Sequence, residues 1–273
     1  MRAGVPPPVV AAARTLTEVP VAGSPVPLAE LAEWLDWFGV VAGITERGAA
    51  GDFSLGLWSD EPAGRVSERW RAFRRWHAPR FPAVVMAHQV HGTEVRIHGP
   101  QAPGWHVGDG YDGHLTAEPG VLLAVTVSDC VPIYLADKRG RGLGLLHVGW
   151  RGVAAGMFDA GLRAFCRSSG AMVQDVAVHF GVAVCGKCYE VGPEVAWAVR
   201  GMSSGERERL DLRAALAERT RRLGVADVTS SPLCTACDSG RFFSHRGSKG
   251  DGGRMVAYLG RPAEPAAPSH LSP

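Results

Sequence analysis

The sequence predicts a mixed α/β (α+β) domain built on a mixed β-sheet with helices packed on it. Three observations predict it. Short β-rich runs, VLLAVTV, VPIYLAD and GLGLLHVG, follow one another at mid-chain. Stretches with apolar residues at helical spacing lie on both sides of them. Strands and helices interleave without a strict βαβ rhythm, which argues against a doubly wound fold.

Taken in order, the Pro-, Ala- and Val-rich stretch 1–27 reads as a flexible leader, its prolines interrupting any signal-peptide core. Leu28 to Phe38, LAELAEWLDWF, and Val66 to His77, with Trp70, Phe73 and Trp76 on one side, are predicted helices. AVVMAHQVHGTEVRIHG reads as a strand, a turn near His91-Gly92 and a second extended piece. The three β-rich runs follow. Val153 to Arg167 carries Met157, Phe158, Leu162 and Phe165 in helical phase; DVAVHFGVAV is a strand and PEVAWAVR a short helix. DLRAALAERTRRLGV is a longer helix ended by Gly224, and RMVAYLG a last strand. No repeat or internal linker interrupts 28–261, so one domain is expected there, followed by a flexible tail at 262–273.

Composition narrows the function. The chain has 273 residues, 46% of them hydrophobic, and a formal charge of +2. The basic residues are dispersed or mixed with acids, which argues against a nucleic-acid stripe. No apolar run reaches membrane-spanning length. Six cysteines are too few for a disulfide scaffold in a chain this long, so reduced thiols and a cytoplasmic setting are expected.

The chemistry concentrates in SDCVPIYLADKRGRGLGLLHVGWRG. If VPIYLAD and GLGLLHVG form a hairpin, pairing Ala136 with Gly142 sets Val131 opposite His147, and a one-residue shift sets Cys130 there. Either register brings thiol and imidazole to one end of the ribbon, roughly 5 to 6 Å apart at Cβ. Both side chains ligate zinc or copper, and either could instead be ordinary core. HQVHGTEV offers a third ligand, His91 or His88. A Cys-His-His set leaves one tetrahedral position open, as catalytic zinc requires. GWRG leads from a strand into a helix and brings Arg151 to its start, a place suited to phosphate.

Other strings compete. GVAVCGKC falls one residue short of a phosphate-binding P-loop, but puts a thiol where magnesium needs a hydroxyl. GMSSG matches a nucleophile elbow between helices, the wrong context, and reads as a loop. Cys185-x-x-Cys188 and Cys234-x-x-Cys237 could form a structural zinc site, though the gap between the pairs is far longer than in a zinc ribbon.

HQVHGTEV, YDGHLT, AVTVSDCVPIYLAD, HVGWRGVAAGM, CYEVGPEV, DLRAAL and FFSHR, in this order, resemble the YfiH/laccase-domain family, described as bacterial polyphenol oxidases and as purine nucleoside phosphorylases. The resemblance spans roughly Val40 to Gly260. It implies that His91, Cys130 and His147 bind a metal, usually zinc, and it selects His91 over His88. It implies phosphorolysis of adenosine, inosine or methylthioadenosine, with possible adenosine deamination. Under that reading Arg151 and Arg47 are candidates for the phosphate. Asp129 would orient a ligand or act on a metal-bound water, and Cys188, which keeps the family thiol of CYEV, is expected with Asp129 and Arg151 among the catalytic residues. His88 and Gln89 are expected substrate contacts. Two positions depart from the family pattern: Gly56 stands where an Asn is common, and Lys187 where a second thiol is.

The rival readings are a copper-dependent polyphenol oxidase and a non-enzymatic metal-binding protein. A multicopper centre is typically fed by His-x-His pairs, and none of the ten histidines forms one.

Overall fold

VPIYLAD is apolar on both faces because it lies between two cores. Val131, Ile133 and Leu135 join one cluster of buried residues, and Tyr134 and Ala136 join another. Period-two alternation that is apolar in both phases marks a strand covered on both sides.

The structure is a computed structural model that describes residues 13–249 and 252–263. Along the chain run β1 (Arg14–Thr15), β2 (Val19–Pro20), β3 (Leu28–Glu30), α1 (Ala32–Phe38), β4 (Val41–Thr45), α2 (Ala63–His77), β5 (Ala83–His88), β6 (Val95–His98), β7 (Gly104–Asp109), β8 (Gly113–Thr116), β9 (Val121–Val127), β10 (Val131–Asp137) and β11 (Leu143–Val148). After them come α3 (Trp150–Ala155), α4 (Met157–Ser169), β12 (Val176–Phe180), β13 (Glu190–Val191), α5 (Pro193–Arg200), β14 (Glu208–Arg209), α6 (Leu212–Arg222), β15 (Asp227–Ser230) and β16 (Met255–Gly260).

The mixed α/β class is as expected, but fourteen of the strands divide between two seven-stranded sheets, and β13 and β14 pair with each other as a separate ribbon. One has the order β1-β15-β12-β10-β11-β8-β6 and the other β2-β3-β4-β16-β9-β5-β7. Helices α3, α4 and α6 cover the outer face of the first, with α5 packed on α3, and α2 covers that of the second, where Trp70 and Phe73 are buried. Tyr134 and Leu145 meet Val125 and Ala257 between the sheets. Strands β5, β7 and β9 are parallel, as are β6 and β8. Parallel neighbours need a crossover, and for these strands the return path runs through the facing sheet rather than a helix, whereas parallel β12 and β15 are joined through α5 and α6. No helix among the described residues is long and apolar enough to cross a membrane.

Four local expectations are corrected. Leu28–Glu30 pairs with β4 as a strand, and only Ala32–Phe38 is helical. The helix expected from Val153 begins at Trp150 and breaks at Gly156, whose φ of 82° ends α3 in the left-handed region before α4 starts. The β10–β11 hairpin pairs Ala136 with Leu143 and Pro132 with His147, so neither expected register is adopted. Asp137 closes the turn itself: its N–H donates to the Gly142 carbonyl and its carboxylate accepts from Arg141. Residues 13–27, expected as leader, are sheet edge and core, with Leu16 and Val26 buried and Arg14–Thr15 pairing with β15. Apolar and hydrogen-bonding groups placed there find partners that a compositional reading cannot see. The rest of the leader, 1–12, and positions 264–273 of the tail lie outside the described residues.

Candidate metal centre and cleft

The chain passes from the second sheet to the first between β5 and β6, between β7 and β8, and between β9 and β10. Those three crossings carry His91, Asp112 and Cys130. The end of β11 adds His147, and the four side chains form one group.

Asp112 organises it. Its buried carboxylate accepts the backbone N–H groups of Val90, His91 and Gly92 at 3.1, 3.0 and 2.8 Å. The same carboxylate binds Nδ1 of His147 at 2.8 Å. The first contacts hold the turn in which His91 takes a φ of 59°, uncommon for a side-chain-bearing residue. The last leaves Nε2 of His147 free to ligate. His91 Nε2 lies 4.0 Å from Cys130 Sγ, and the donor atoms of His91, Cys130 and His147 all lie within 4.8 Å of one another. Zinc–ligand bonds of ~2.0–2.3 Å in a tetrahedron separate donor atoms by roughly 3.3–3.6 Å, so the set is close to the spacing a zinc ion takes. A Cβ added to Gly149 would sit 2.8 Å from Cys130 Sγ, so the backbone before α3 approaches the thiol as only glycine permits.

Electrostatics follow from the same contacts. Burial alone would push the Cys130 thiol up, but the His147 and His91 imidazoles outweigh it and bring it to about 6. Burial would lower His147, yet the Cys130 sulfur and the Asp112 carboxylate hold it at about 9. Asp112 itself is held below the usual carboxylate range, its burial outweighed by hydrogen bonds from His147, Gly92 and Val90. The thiol is thus readily ionised, a condition for binding a soft metal.

The group opens into a cleft of about 510 Å³, within the ~300–1,000 Å³ span of small-molecule sites. Arg151 and Arg246 line it, stacked on Trp150 and Tyr189 at 4.5 and 5.1 Å, and neither makes an ion pair among the described residues. His88 stands in the wall with its ring 4.6 Å from that of Trp58 and its Nδ1 3.0 Å from Asp109. Gln89 also lines the cleft, but both ends of its amide are bound to Thr126, extending the β5 edge.

Asp129 lines the cleft, but its carboxylate is engaged: it accepts from the Thr235 hydroxyl at 2.5 Å, the Ser244 hydroxyl at 2.7 Å and the backbone N–H of Arg246 at 2.6 Å, and so binds three segments together. Two expected residues are placed elsewhere. Arg47 does not line the cleft; its guanidinium is bound to the carbonyls of Ser239 and Gly51. Cys188 also lies off the cleft wall and packs with Cys185, Cys234 and Cys237. Gly56 lines the cleft, and a Cβ there would lie 3.0 Å from Arg254 Cγ, so the Arg254 stem occupies that space. Lys187 is exposed. The sequence marks neither Asp112 nor Arg246 as a site residue, although they lie in YDGHLT and FFSHR. An Asp-Gly pair signals a turn first, and an arginine's lack of a carboxylate partner is visible only in three dimensions.

The family model described as multi-copper polyphenol oxidoreductase laccase matches residues 39–262. The chain belongs to this family. Among laccase-like relatives, it is 36% identical over 219 residues to a purine nucleoside phosphorylase, ORF3, of Streptomyces griseus, a match covering 77% of this chain and 87% of that one. It is 30% identical over 183 residues to an adenosine deaminase, RL5, of an unknown prokaryotic organism, covering 60% of this chain and 69% of that one. The crystal structure of YlmD from Geobacillus stearothermophilus superposes with a TM-score of 0.79 at 28% identity, covering 90% of this chain and all of that one. The fold is thus shared with a solved relative over nine-tenths of this chain.

Proposed function

We propose that the protein is a zinc-dependent purine nucleoside phosphorylase, cleaving adenosine, inosine or methylthioadenosine to free base and a sugar 1-phosphate. The observation that carries the reading is the meeting, in one cleft, of a Cys-His-His donor set with three arginines free of ion pairs among the described residues, of which Arg151 and Arg246 are not tied to loop carbonyls as Arg254 is. The names of the relatives support the nucleoside. One thiolate and two imidazoles suit zinc or copper and are poor ligands for magnesium or calcium.

His91, Cys130 and His147 would hold the metal, which when bound supplies a Lewis acid and an acidified water. The protein's own side chains supply the rest. Arg151 and Arg246 orient phosphate through charge-assisted hydrogen bonds, so that its oxygen faces the sugar carbon as the glycosidic C–N bond breaks. The Trp58 and His88 rings offer an aromatic wall for the flat base. Six free cysteines support a cytoplasmic setting.

The test is release of free base from adenosine or inosine with and without phosphate. Release only with phosphate is expected. Equal release without it would make the enzyme a hydrolase, accumulation of inosine from adenosine would favour the deaminase, and phenol oxidation with no base release would favour copper chemistry. Arg151→Ala should raise the phosphate KM about tenfold, the loss of roughly 1.4 kcal/mol expected for one charge-assisted contact. An unchanged KM would remove Arg151 from that role.

A further inference from the structure

Away from the cleft, two Cys-x-x-Cys turns meet. Cys185 and Cys188 lie in the loop after β12, and Cys234 and Cys237 in the loop after β15. The pairs are far apart in sequence, with Cys185 and Cys234 separated by 49 positions, but β12 and β15 run parallel and adjacent and deliver both loops to the same sheet end. An isolated bridge between Ala183 and Cys234 continues that pairing.

The sulfurs converge. Cys188 Sγ lies 3.4 Å and Cys185 Sγ 3.9 Å from Cys237 Sγ, and all four lie within 4.8 Å of one another. Zinc–sulfur bonds of ~2.3 Å in a tetrahedron separate the sulfurs by roughly 3.8 Å, inside that spread. The backbone N–H groups of Cys185 and Cys237 both donate to Cys234 Sγ, at 3.2 and 3.4 Å, the support a thiolate ligand needs from its surroundings. All six cysteines are free, so no disulfide accounts for the convergence.

We propose that Cys185, Cys188, Cys234 and Cys237 bind one zinc ion in a closed, structural four-thiolate site distinct from the Cys-His-His centre. Four protein ligands complete the tetrahedron and leave no position for substrate, so the ion acts as a clamp. What it clamps matters for the cleft. The first loop carries Tyr189 and the Val184 N–H that donates to the Asp129 carbonyl at 3.2 Å. The second carries Thr235, which donates to the Asp129 carboxylate, and leads into Ser244 and Arg246. Joining them holds the Tyr189–Arg246 wall against the Cys130 loop. The proposal does not depend on the nucleoside reading.

Intact-complex mass spectrometry and metal analysis of the freshly purified, reduced protein should find two zinc ions per chain. Cys130→Ser should retain one, and so should Cys185→Ser/Cys237→Ser, with a lower Tm in the double variant. Cobalt exchanged into Cys130→Ser should give tetrahedral d–d bands and the strong sulfur-to-metal charge transfer of four thiolates. That spectrum decides the matter even if the double variant does not fold. Zinc content unchanged in the double variant, no metal in Cys130→Ser, or the four cysteines recovered as disulfides from the reduced preparation would overturn the proposal.

Discussion

At the scale of single residues, Asp112 does more than its neighbours because one carboxylate serves two ligands: it fixes the His91 turn and the His147 ring together. Asp112→Asn keeps the size but replaces one acceptor oxygen with a donor that faces backbone N–H groups. Metal affinity at the Cys-His-His centre should fall 10- to 100-fold, the usual effect of losing a ligand's supporting carboxylate, as measured by competition with a chromogenic chelator. Affinity within twofold of the unaltered protein would confine Asp112 to shaping the turn. His91, Cys130 and His147 were legible as candidates because their flanking strings are distinctive. Asp112 was not, since its partners are backbone amides of a distant turn and the ring of His147. The crowding of Cys130 against the Gly149 backbone was equally hidden.

At the scale of elements, α2 ends on His77, buried among Phe73, Phe81 and Tyr258 with no hydrogen-bond partner for either ring nitrogen among the described residues. Burial, helped by the nearby Arg80 charge, lowers its pKa from 6.5 to about 3. The unfolded chain therefore takes up a proton near pH 6.5 that the folded helix refuses until about pH 3. Stability is full above that upper value and declines as the pH drops through the window, by about 2 kcal/mol at pH 5 from this group alone. His98 and His114, lowered to about 4 and about 3 chiefly by burial, act in the same direction. In His77→Phe the Tm should fall less steeply between pH 7 and pH 5; an equally steep fall would place the acid sensitivity elsewhere. Helical periodicity located α2, α5 and α6 because each turns an apolar face to the core, α2 and α6 against a sheet and α5 against α3. It ran across Gly156 because α3 and α4 share an apolar phase that conceals the break. The hairpin register was missed by one residue because Asp137, a polar end to an apolar run, belongs to the turn's own hydrogen bonding.

At the scale of the whole molecule, residues 13–31, ahead of α1, are part of the fold. Glu18 lies in the interior, its carboxylate bound by the Ser231 hydroxyl at 2.6 Å and by His179 Nε2 at 3.2 Å, with Thr229 on the other ring nitrogen. Glu18→Ala would leave that network without its acceptor and should lower the unfolding free energy by about 3–5 kcal/mol in a denaturant titration. A loss below about 1 kcal/mol would show that the segment is dispensable. Its Pro- and Val-rich composition suggested a mobile leader, and nothing in one dimension announced a partner 161 positions away. The division into two sheets was hidden for a related reason: a strand buried on both faces reads the same whether a helix or a second sheet covers it. The three crossings that carry His91, Asp112 and Cys130 also bear on how this architecture tolerates change in length. A residue inserted at any of them would displace strands in both sheets at once, whereas the Asp137–Gly142 turn is tied only within the first sheet's side, to the Gly170 carbonyl, Asp175 and Asp227, and, among the described residues, to no residue of the cleft. A change in length therefore disturbs the cleft least at turns within one sheet, with the crossing segments kept constant.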